Sequence, residues 1–504
     1  MIEYLLLVPI LTGVLCFLTR SKTQVEVVSL TGSTVTLILG LNLVKYVYQN
    51  GIIMAWTNTL FADMFSAFIV LIVSIVGFVA SIYSIGYMGH EFKHGILDLK
   101  KLRLYYVLFH MFMFTMLLVG VTNNLGLWIA IEMTTLVSTL LLILYLRKSS
   151  VEAAWKYMTI CTVGITFALL GTILTYYGAV KIMGESGDAL NWTSLIKVAD
   201  QFDPTIMKLA FIFILIGYGT KAGLAPMHTW LPDAHSEAPS PVSALLSGVL
   251  LNCAMYGIIR FYSIATKSTG IEFTSNLLII FGLLSLGIAV PFIILQEDYK
   301  RMLAYSSVEH MGIIAIGIGF GGTYGVFGAL LHMFNHAMTK SLMFFGAGNV
   351  LLKHGTKEID KVKGVVKSMP VTGAMLLIGG LAITGSPPFS IFISEFIILW
   401  AGFLQGHIIA SGLFLLFIIM IFAGFFYNLS KMLFGNPNPG ITPGEVSRWT
   451  LGAMVILVVF VFVLGVYIPH TFYDMIMKVV AVVRWDDEKM LVLDIKSDPV
   501  FFPF

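Results

Sequence analysis

Charged side chains are scarce in this chain. Asp, Glu, Lys and Arg together make up 11% of its 504 residues, whereas ordinary soluble domains contain about 25%. Apolar residues make up 58%, and the mean hydropathy is +0.91. This composition excludes a soluble globular protein, and the lack of a basic tract excludes a protein that binds nucleic acid.

Cysteine clusters and nucleotide-binding loops are also missing. The three cysteines, Cys16, Cys161 and Cys253, each stand alone within an apolar stretch. Iron–sulfur clusters and structural zinc sites need several clustered ligands. The chain has no CxxC pair, and no P-loop or GxGxxG motif between a strand and a helix. We therefore expect no cofactor, no metal ion and no catalytic redox site on this chain.

Long apolar runs are what the sequence has in abundance. Windows of roughly 20 apolar residues recur from end to end, about 14 in all, and each is long enough to cross a hydrocarbon core of roughly 30 Å. The sequence thus predicts an all-α integral membrane protein. Most of the 30 basic residues fall in loops after odd-numbered spans. The positive-inside rule places those loops in the cytoplasm. It places both termini on the outer side of the cell's inner membrane.

A lysine in the middle of an apolar segment is the most informative single residue. Lys221 lies within the predicted seventh helix, five residues before Pro226, and costs roughly 2.5 to 3.5 kcal/mol at mid-membrane. Glu132 on the fifth helix is the available carboxylate, so we expect a Glu132–Lys221 pair. Two histidines of the following loop, His228 and His235, are expected beside it. A static ion pair that only fixes helix packing is the alternative.

The eleventh helix carries a polar stripe on an otherwise apolar rod. His332, His336 and Lys340 are spaced four residues apart and therefore share one helix face. Histidine donates from one ring nitrogen and accepts on the other, so the stripe suits a proton relay. Packed core histidines are one alternative. A zinc site is another, although no third ligand is evident.

The tenth helix adds two ionisable residues near its middle. Glu309 and His310 lie about two turns beyond its basic start, where they are expected to carry charge between the two halves of the protein. A hydrogen-bonded structural pair is the alternative. Lys300 and Arg301, at the start of the helix, are expected to reach the cytoplasmic surface.

The twelfth helix is predicted to be discontinuous, like the seventh. It breaks at Gly385, Pro387 and Pro388 and then carries Glu395; a turn at the membrane surface is the alternative. Glutamates on helices 5 and 10 and breaks in helices 7 and 12 lie five spans apart, which indicates two inverted five-helix repeats. The predicted segments are an N-terminal three-helix unit (1–103), the two repeats (104–265 and 276–434), and a last helix with an amphipathic tail (448–504).

Three motifs then resemble a known family. Residues 221–244 (KAGLAPMHTWLPDAHSEAPSPVSA), 300–307 (KRMLAYSS) and 336–340 (HAMTK) are similar to the antiporter-like proton-translocating subunits of respiratory complex I, Mrp antiporters and membrane-bound hydrogenases. Residues 308–312 (VEHMG) resemble the F-type membrane subunit of hydrogenase-4 complexes. Asn252 stands where many members of the family have a lysine or histidine.

The resemblance implies a 14-helix fold and roles for several residues. It implies that Glu132 and Lys221 form a switchable pair, that Lys340 with His332 and His336 links the two half-channels, and that Glu395 lies at the end of the route. The implied partners are further antiporter-like and quinone-site-like membrane subunits, peripheral hydrogenase or dehydrogenase subunits, and the lipid bilayer.

The expected function is therefore proton translocation in a membrane-bound hydrogenase or formate hydrogenlyase-like complex. A subunit of complex I or of an Mrp-type sodium/proton antiporter is an alternative, in which Glu309, Glu395 and Asp63 are candidate sodium ligands. A purely structural membrane subunit is a further alternative. The tail after Thr471 is expected to lie along the membrane interface because of its Arg484, Trp485, Asp486 and Asp487 sequence.

Overall fold

The computed structural model describes residues 1–485 and is mostly helical. Ten helical segments of the described chain are long and apolar enough to cross a membrane, and four further apolar helices are shorter. The prediction of a helical protein with many membrane spans is therefore confirmed. The helices are α1 (Ile2–Leu18), α2 (Lys22–Asn50), α3 (Met64–Lys93), α4 (Leu99–Val121), α5 (Leu127–Leu142), α6 (Lys148–Met183), α7 (Trp192–Leu195), α8 (Pro204–Ala222), α9 (Trp230–Glu237), α10 (Ser240–Leu245), α11 (Leu251–Thr269), α12 (Ile271–Ile294), α13 (Tyr299–Phe320), α14 (Gly322–His354), α15 (Val365–Ser368), α16 (Pro370–Ile383), α17 (Ser390–Leu404), α18 (Ile408–Leu433), α19 (Arg448–Val466) and α20 (His470–Arg484).

One short hairpin interrupts the helices. Strand β1 (Ile53–Ala55) pairs antiparallel with β2 (Leu60–Ala62) between α2 and α3. The π-helical turn Leu246–Leu250 joins α10 to α11 without a break in the rod. Such turns insert one extra residue per turn and often mark functional sites.

The helices α13, α14 and the rod from α10 to α11 form the centre of the protein. The apolar windows of α13 and of the α10–α11 rod are entirely buried, whereas most of α2, α18 and α19 faces outward. Apolar side chains exposed on the outer helices are what a bilayer-facing surface requires. Polar side chains on the central helices are thus shielded from lipid by the protein itself.

The chain leaves the helical path at two places that matter for the site. Helix α8 ends at Ala222 because Gly223 adopts a left-handed conformation (φ +79°), which lets Leu224 N–H bond Gly219 O at 2.8 Å. Helix α16 ends at Ile383, and Gly385 is likewise left-handed (φ +68°). Glycine takes this conformation without the steric penalty that a side chain brings.

A buried ion pair joins α3 to α11. Arg260 donates from Nη1 to Asp63 Oδ2 at 2.7 Å and from Nη2 to Asp63 Oδ1 at 2.6 Å. Burial raises the pKa of the Asp63 carboxyl, but the charge and hydrogen bonds of Arg260 outweigh it, so the pKa lies below its ordinary value. Both carboxylate oxygens of Asp63, a candidate sodium ligand, are therefore engaged by the Arg260 guanidinium.

The described part of the C-terminal tail is a helix packed on the protein. Val479, Val480 and Val483 of α20 are buried, and Ser263 of α11 donates to Val483 O at 2.8 Å. The rest of the predicted interfacial tail, including Asp486 and Asp487, lies outside the described residues.

Candidate functional site

Lys221 is buried at the end of α8 and is held by two hydroxyl groups. Only 2% of the residue is exposed. Its Nζ donates to the Tyr157 hydroxyl of α6 at 2.6 Å and to Thr135 Oγ1 of α5 at 2.8 Å. The Trp230 ring covers the ammonium at 5.9 Å and donates its N–H to Thr220 O at 2.8 Å across the helix break. Burial of this cation is thus compensated by polar oxygens and an aromatic face.

Glu132 reaches Lys221 through Thr135 instead of directly. Thr135 Oγ1 donates to Glu132 Oε2 at 3.2 Å, and Thr162 Oγ1 donates to Glu132 Oε1 at 2.8 Å. The ion pairs within 4 Å among the described residues do not include Glu132 and Lys221. The predicted Glu132–Lys221 pair is thus bridged by the Thr135 hydroxyl and is not a direct ion pair.

The hydrogen bonds from Lys221 continue toward the middle of α5. Tyr157 OH and Ser138 Oγ are 2.7 Å apart, and Ser138 donates to Thr134 O at 2.5 Å. Because the Ser138 hydrogen is used in that bond, Tyr157 donates to Ser138. Lys221 thus begins two chains of hydroxyl groups, one toward Glu132 and one toward Ser138.

His235 of α9 lies against α14. Its ring stacks on Trp230 at 6.2 Å and on Phe344 of α14 at 5.6 Å. Among the described residues, neither ring nitrogen has a hydrogen-bond partner, and the same holds for Nδ1 of His228. Buried polar atoms are almost always paired with protein or ordered water. These nitrogens therefore indicate a hydrated region beside the helix break.

Lys340 is buried in α14 and binds α13. Its Nζ donates to Leu303 O at 2.6 Å and also donates to the Ser306 hydroxyl. Glu309 follows Ser306 by one helical turn and is also buried. The ammonium of Lys340 acts on Glu309 electrostatically. Lys340 is thus bound to α13 and lies near Glu309 of that helix.

Asn252 is buried and bonds two backbone carbonyl groups. Asn252 Nδ2 donates to Gly248 O at 2.9 Å and to Met333 O of α14 at 3.0 Å. One turn away, Ser247 of the π-helical turn and Ser307 of α13 have their hydroxyl oxygens 2.7 Å apart. Neutral groups that bind α13 and α14 therefore occupy this position.

Two histidines and a serine form a chain across three helices. His310 Nδ1 and His332 Nε2 are 3.0 Å apart, and His332 Nδ1 lies 2.9 Å from Ser394 Oγ of α17. Ser394 donates to Ile391 O at 2.8 Å, so the network assigns N–H to His332 Nδ1 and to His310 Nδ1. The predicted stripe is buried, but His332 accepts its hydrogen bond from His310 of α13 and not from His336, whose ring lies 5.1 Å from that of His310.

Glu395 completes this cluster at the second helix break. It is buried, and a Cβ atom at Gly385 would collide with its Oε2. Its Oε1 has no hydrogen-bond partner among the described residues. One ligand atom each from His310, His332 and Glu395 lies within 4.8 Å of the others. The two imidazoles are hydrogen-bonded to each other, so a metal ion would have to displace that bond.

Lys300 is buried, contrary to the prediction, whereas Arg301 reaches the surface as predicted. Lys300 is 1% exposed and donates to Ala238 O at 2.6 Å. Arg301 is 38% exposed and pairs with Asp233 of α9. The expectation that both side chains reach the surface was wrong for Lys300, because the turn after α9 covers it.

Several polar residues of the site escaped the sequence analysis. Thr135, Tyr157, Ser306 and Ser394 carry no charge, so hydropathy does not distinguish them from ordinary helix residues. Their helical spacing from ionisable residues is the available signal. Ser394 precedes Glu395 directly, Thr135 follows Glu132 by three residues, and positions three apart share a helix face.

The sequence matches the family model described as NADH:quinone oxidoreductase/Mrp antiporter, transmembrane, over residues 121–422. This chain belongs to that family. Residues 54–94 also match the model described as NADH-ubiquinone oxidoreductase (complex I), chain 5 N-terminus. The chain is 39% identical to the hydrogenase-4 component F homolog of Methylacidiphilum infernorum over 408 residues, which cover 81% of this chain and 85% of that protein. The predicted resemblance to antiporter-like membrane subunits of the hydrogenase-4 and complex I type is confirmed.

Two solved structures share the fold. A chain of the membrane-bound sulfane sulfur reductase, an archaeal respiratory membrane complex, superposes with a TM-score of 0.84 at 23% identity, covering 98% of this chain and 99% of that one. A chain of the Mrp complex from a Dietzia species gives a TM-score of 0.84 at 17% identity, covering 97% and 98%. Both structural neighbours are subunits of membrane complexes.

Proposed function

We propose that this chain carries protons across the cytoplasmic membrane as a subunit of a redox complex of the membrane-bound hydrogenase or formate hydrogenlyase kind. One observation supports this most strongly. Two clusters of buried ionisable side chains, around Lys221 and around His310 and His332, each lie beside an interrupted helix, and Lys340 lies between them. Charges this deep are rare in membrane proteins except along ion pathways.

The hydrogen bonds supply the route. Lys221, Thr135 and Glu132 form a chain in which the middle hydroxyl both accepts and donates, so it can hand on a proton in either direction. Moving one charge against 100 mV requires about 2.3 kcal/mol. A hydrogen bond to a charged group is worth about 1.5 to 3 kcal/mol. The free energy of making and breaking the hydrogen bond at Thr135 is therefore comparable with the free energy that pumping one charge requires.

The proposed architecture has 14 spans and two inverted repeats, 104–265 and 276–434. Interrupted helices α8–α9 and α16–α17 take corresponding places in the two repeats, and each repeat contains one unusually long helix, α6 with 36 residues and α14 with 33. Discontinuous helices in inverted repeats are the usual setting of ion sites in transporters. An even number of spans would leave both termini on one side of the membrane, and the basic residues of the odd-side loops would make that side the outside.

We place a further membrane subunit against the α5–α6 face. Glu132 is half-buried there, and Thr162, which donates to it, is exposed. A carboxylate that faces lipid costs several kcal/mol, so a protein surface with polar groups is the better neighbour. Antiporter-like or quinone-site-like subunits, with peripheral hydrogenase or dehydrogenase subunits beyond them, are the proposed partners.

The test replaces Lys221 by alanine in the intact complex. Proton translocation into membrane vesicles should be lost while the complex stays assembled, because Tyr157 and Thr135 no longer bind a titratable group. Lys208→Ala is the matched control, since Lys208 lies on the same helix but is exposed. Normal proton transport in an assembled Lys221→Ala complex would reject the proposal and leave a purely structural subunit.

Sodium/proton antiport is the second candidate, because a subunit of the Mrp complex shares the fold. The Asp63 carboxylate is bound by Arg260, so Glu309 and Glu395 would be the sodium ligands. Replacing Na⁺ by K⁺ in the vesicle assay separates the two candidates. Proton transport that requires Na⁺ would favour antiport.

A further inference from the structure

Both hydroxyl groups that hold Lys221 act as acceptors. The Tyr157 hydroxyl lies 2.6 Å from Lys221 Nζ, and Thr135 Oγ1 lies 2.8 Å from it. An ammonium group only donates, so each hydroxyl turns its oxygen toward Lys221 and its own hydrogen elsewhere. This arrangement suits the charged lysine. A neutral amine has a lone pair that needs a donor, so one of the two hydroxyl groups has to reorient when Lys221 loses its proton.

Either hydroxyl group can reorient without movement of a heavy atom. Thr135 Oγ1 lies 2.8 Å from Lys221 Nζ and 3.2 Å from Glu132 Oε2, which receives its hydrogen. The Tyr157 oxygen lies 2.6 Å from Lys221 Nζ and 2.7 Å from Ser138 Oγ, which receives the tyrosine hydrogen. Rotation about one C–O bond brings either hydrogen to Lys221. The consequences differ, because only Thr135 is bound to Glu132.

Ser138 fixes the direction of the Tyr157 hydroxyl. The serine is fully buried in α5, and its hydroxyl donates to Thr134 O at 2.5 Å and approaches Thr135 O at 3.2 Å. Its hydrogen is therefore used within α5, and its oxygen is left to accept from Tyr157. The separation of 2.7 Å between the two hydroxyl oxygens is the usual length of such a bond, about 2.7 to 2.8 Å.

The bond from Thr135 to Glu132 is the easier of the two to break. Hydroxyl bonds to a carboxylate are ordinarily about 2.5 to 2.7 Å long, so at 3.2 Å this one is weak. Glu132 is half-buried, and its other oxygen accepts from Thr162 at 2.8 Å. The carboxylate therefore keeps one donor when Thr135 turns away. Ser138 would keep none among the described residues if Tyr157 turned away.

We propose that Ser138 is a positioning residue that holds Tyr157 as an acceptor for Lys221. Each proton that Lys221 loses then turns the Thr135 hydroxyl away from Glu132. This inference rests on the proposed function. The step moves one proton: it leaves the Lys221 ammonium for the route, the neutral amine accepts the hydrogen bond of Thr135, and Glu132 loses one donor. The charge state of the buried lysine thus reaches a carboxylate on the α5–α6 face, where a further subunit is proposed.

The tyrosine hydroxyl distinguishes this role from packing. If Ser138 acts through Tyr157, its removal matters only while the Tyr157 hydroxyl is present, because that hydroxyl is the competing donor for neutral Lys221. A serine that only packs α5 against α6 is needed whether or not the tyrosine has a hydroxyl. Tyr157→Phe keeps the ring, which lies 4.6 Å from the Trp230 ring, and removes the competing donor. The two substitutions, made singly and together, therefore separate the two roles.

The experiment measures proton translocation in vesicles that contain the whole complex, with electron transfer and subunit assembly recorded in the same preparations. Ser138→Ala should lower translocation about fivefold, the factor that one competing hydrogen bond of ordinary strength contributes. Ser138→Thr keeps the hydroxyl and should retain most of it. Tyr157→Phe should also retain most of it, and Ser138→Ala should have no further effect in that background. Ser150→Ala is the matched control, since Ser150 is also fully buried but donates to Arg147 O at the start of α6 at 2.9 Å.

Unchanged translocation in an assembled Ser138→Ala complex would overturn the inference. An equal loss from Ser138→Ala with and without Tyr157→Phe would assign the serine to packing and would also overturn it. Loss of translocation in Tyr157→Phe alone would make the tyrosine a proton carrier, which contradicts the inference as well. Lys221→Ala, measured in parallel, distinguishes the two proposals. If it stops proton transport and Ser138→Ala has no effect, only the inference on Ser138 fails; if transport continues in Lys221→Ala, the proposed function fails and the inference with it.

Discussion

Lys221 and Glu132 are connected by a single hydroxyl group, that of Thr135. Lys221 Nζ donates to Thr135 Oγ1 at 2.8 Å, and Thr135 Oγ1 donates to Glu132 Oε2 at 3.2 Å. The cation and the carboxylate are therefore coupled without touching. Direct ion pairs in low-dielectric surroundings are hard to separate, whereas a pair bridged by a rotating hydroxyl can be uncoupled by one torsion.

Thr135→Val should uncouple this pair. Valine keeps the shape of threonine but neither donates nor accepts, so we expect proton translocation to fall at least about tenfold with normal assembly. Thr135→Ser should retain it. Thr139→Val is the control, because the Thr139 hydroxyl only binds Thr135 O of its own helix at 2.7 Å. Wild-type translocation in Thr135→Val would show that the bridge is dispensable.

His332→Phe should stop the second half of the route. Phenylalanine fills the ring volume but removes the bonds to His310 and Ser394. Electron transfer should become uncoupled from proton translocation, which parallel assays on the same vesicles measure. His354→Phe, at the end of the same helix, should leave coupling intact. A coupled His332→Phe complex would contradict the assignment.

Gly385→Ala should disturb the second helix break. A side chain at φ +68° costs about 1 to 3 kcal/mol, and the new Cβ would displace Glu395. We expect a lower thermal unfolding midpoint and weaker proton translocation. Gly412→Ala is the control, since nothing lies within 4 Å of a Cβ there. An equal effect of both substitutions would show that the close contact between Gly385 and Glu395 has no special role.

Asp63→Asn should reduce the amount of folded protein instead of changing ion selectivity. Removing one partner of a buried pair leaves Arg260 uncompensated, at a cost of about 3 to 5 kcal/mol. Because the pKa of Asp63 lies below its ordinary value, the stabilisation is complete above that ordinary value and is lost only as the pH falls through the lowered pKa. The difference in thermal stability from wild type should therefore be the same at about pH 6 and about pH 8. A sodium-dependent difference would contradict this account.

Local signals in the sequence predicted much of the helical framework. Apolar runs indicated the helices, and Lys221 and Lys340 were recognised as buried because they interrupt such runs. Glycine and proline pointed to interruptions near Pro226 and Pro387. Each of these signals depends on neighbours along the chain, which the sequence displays directly.

Contacts between distant segments could not be predicted in the same way. Asp63 and Arg260 are separated by 197 residues, and neither residue alone indicates its partner. The intervening Thr135 and the burial of Lys300 depend on how helices pack, which hydropathy does not encode. Polar neutral residues such as Tyr157 gain their importance only from the lysine that packs against them.

The hydrogen bonds from His310 to His332 and from His332 to Ser394 all run in one direction, toward α17. Once a proton has passed along this hydrogen-bonded chain, every donor has become an acceptor. A second proton cannot follow until both imidazole rings rotate back to their original orientation. Both rings are fully buried, so we expect their return rotation to be slow and to limit how often a proton can pass.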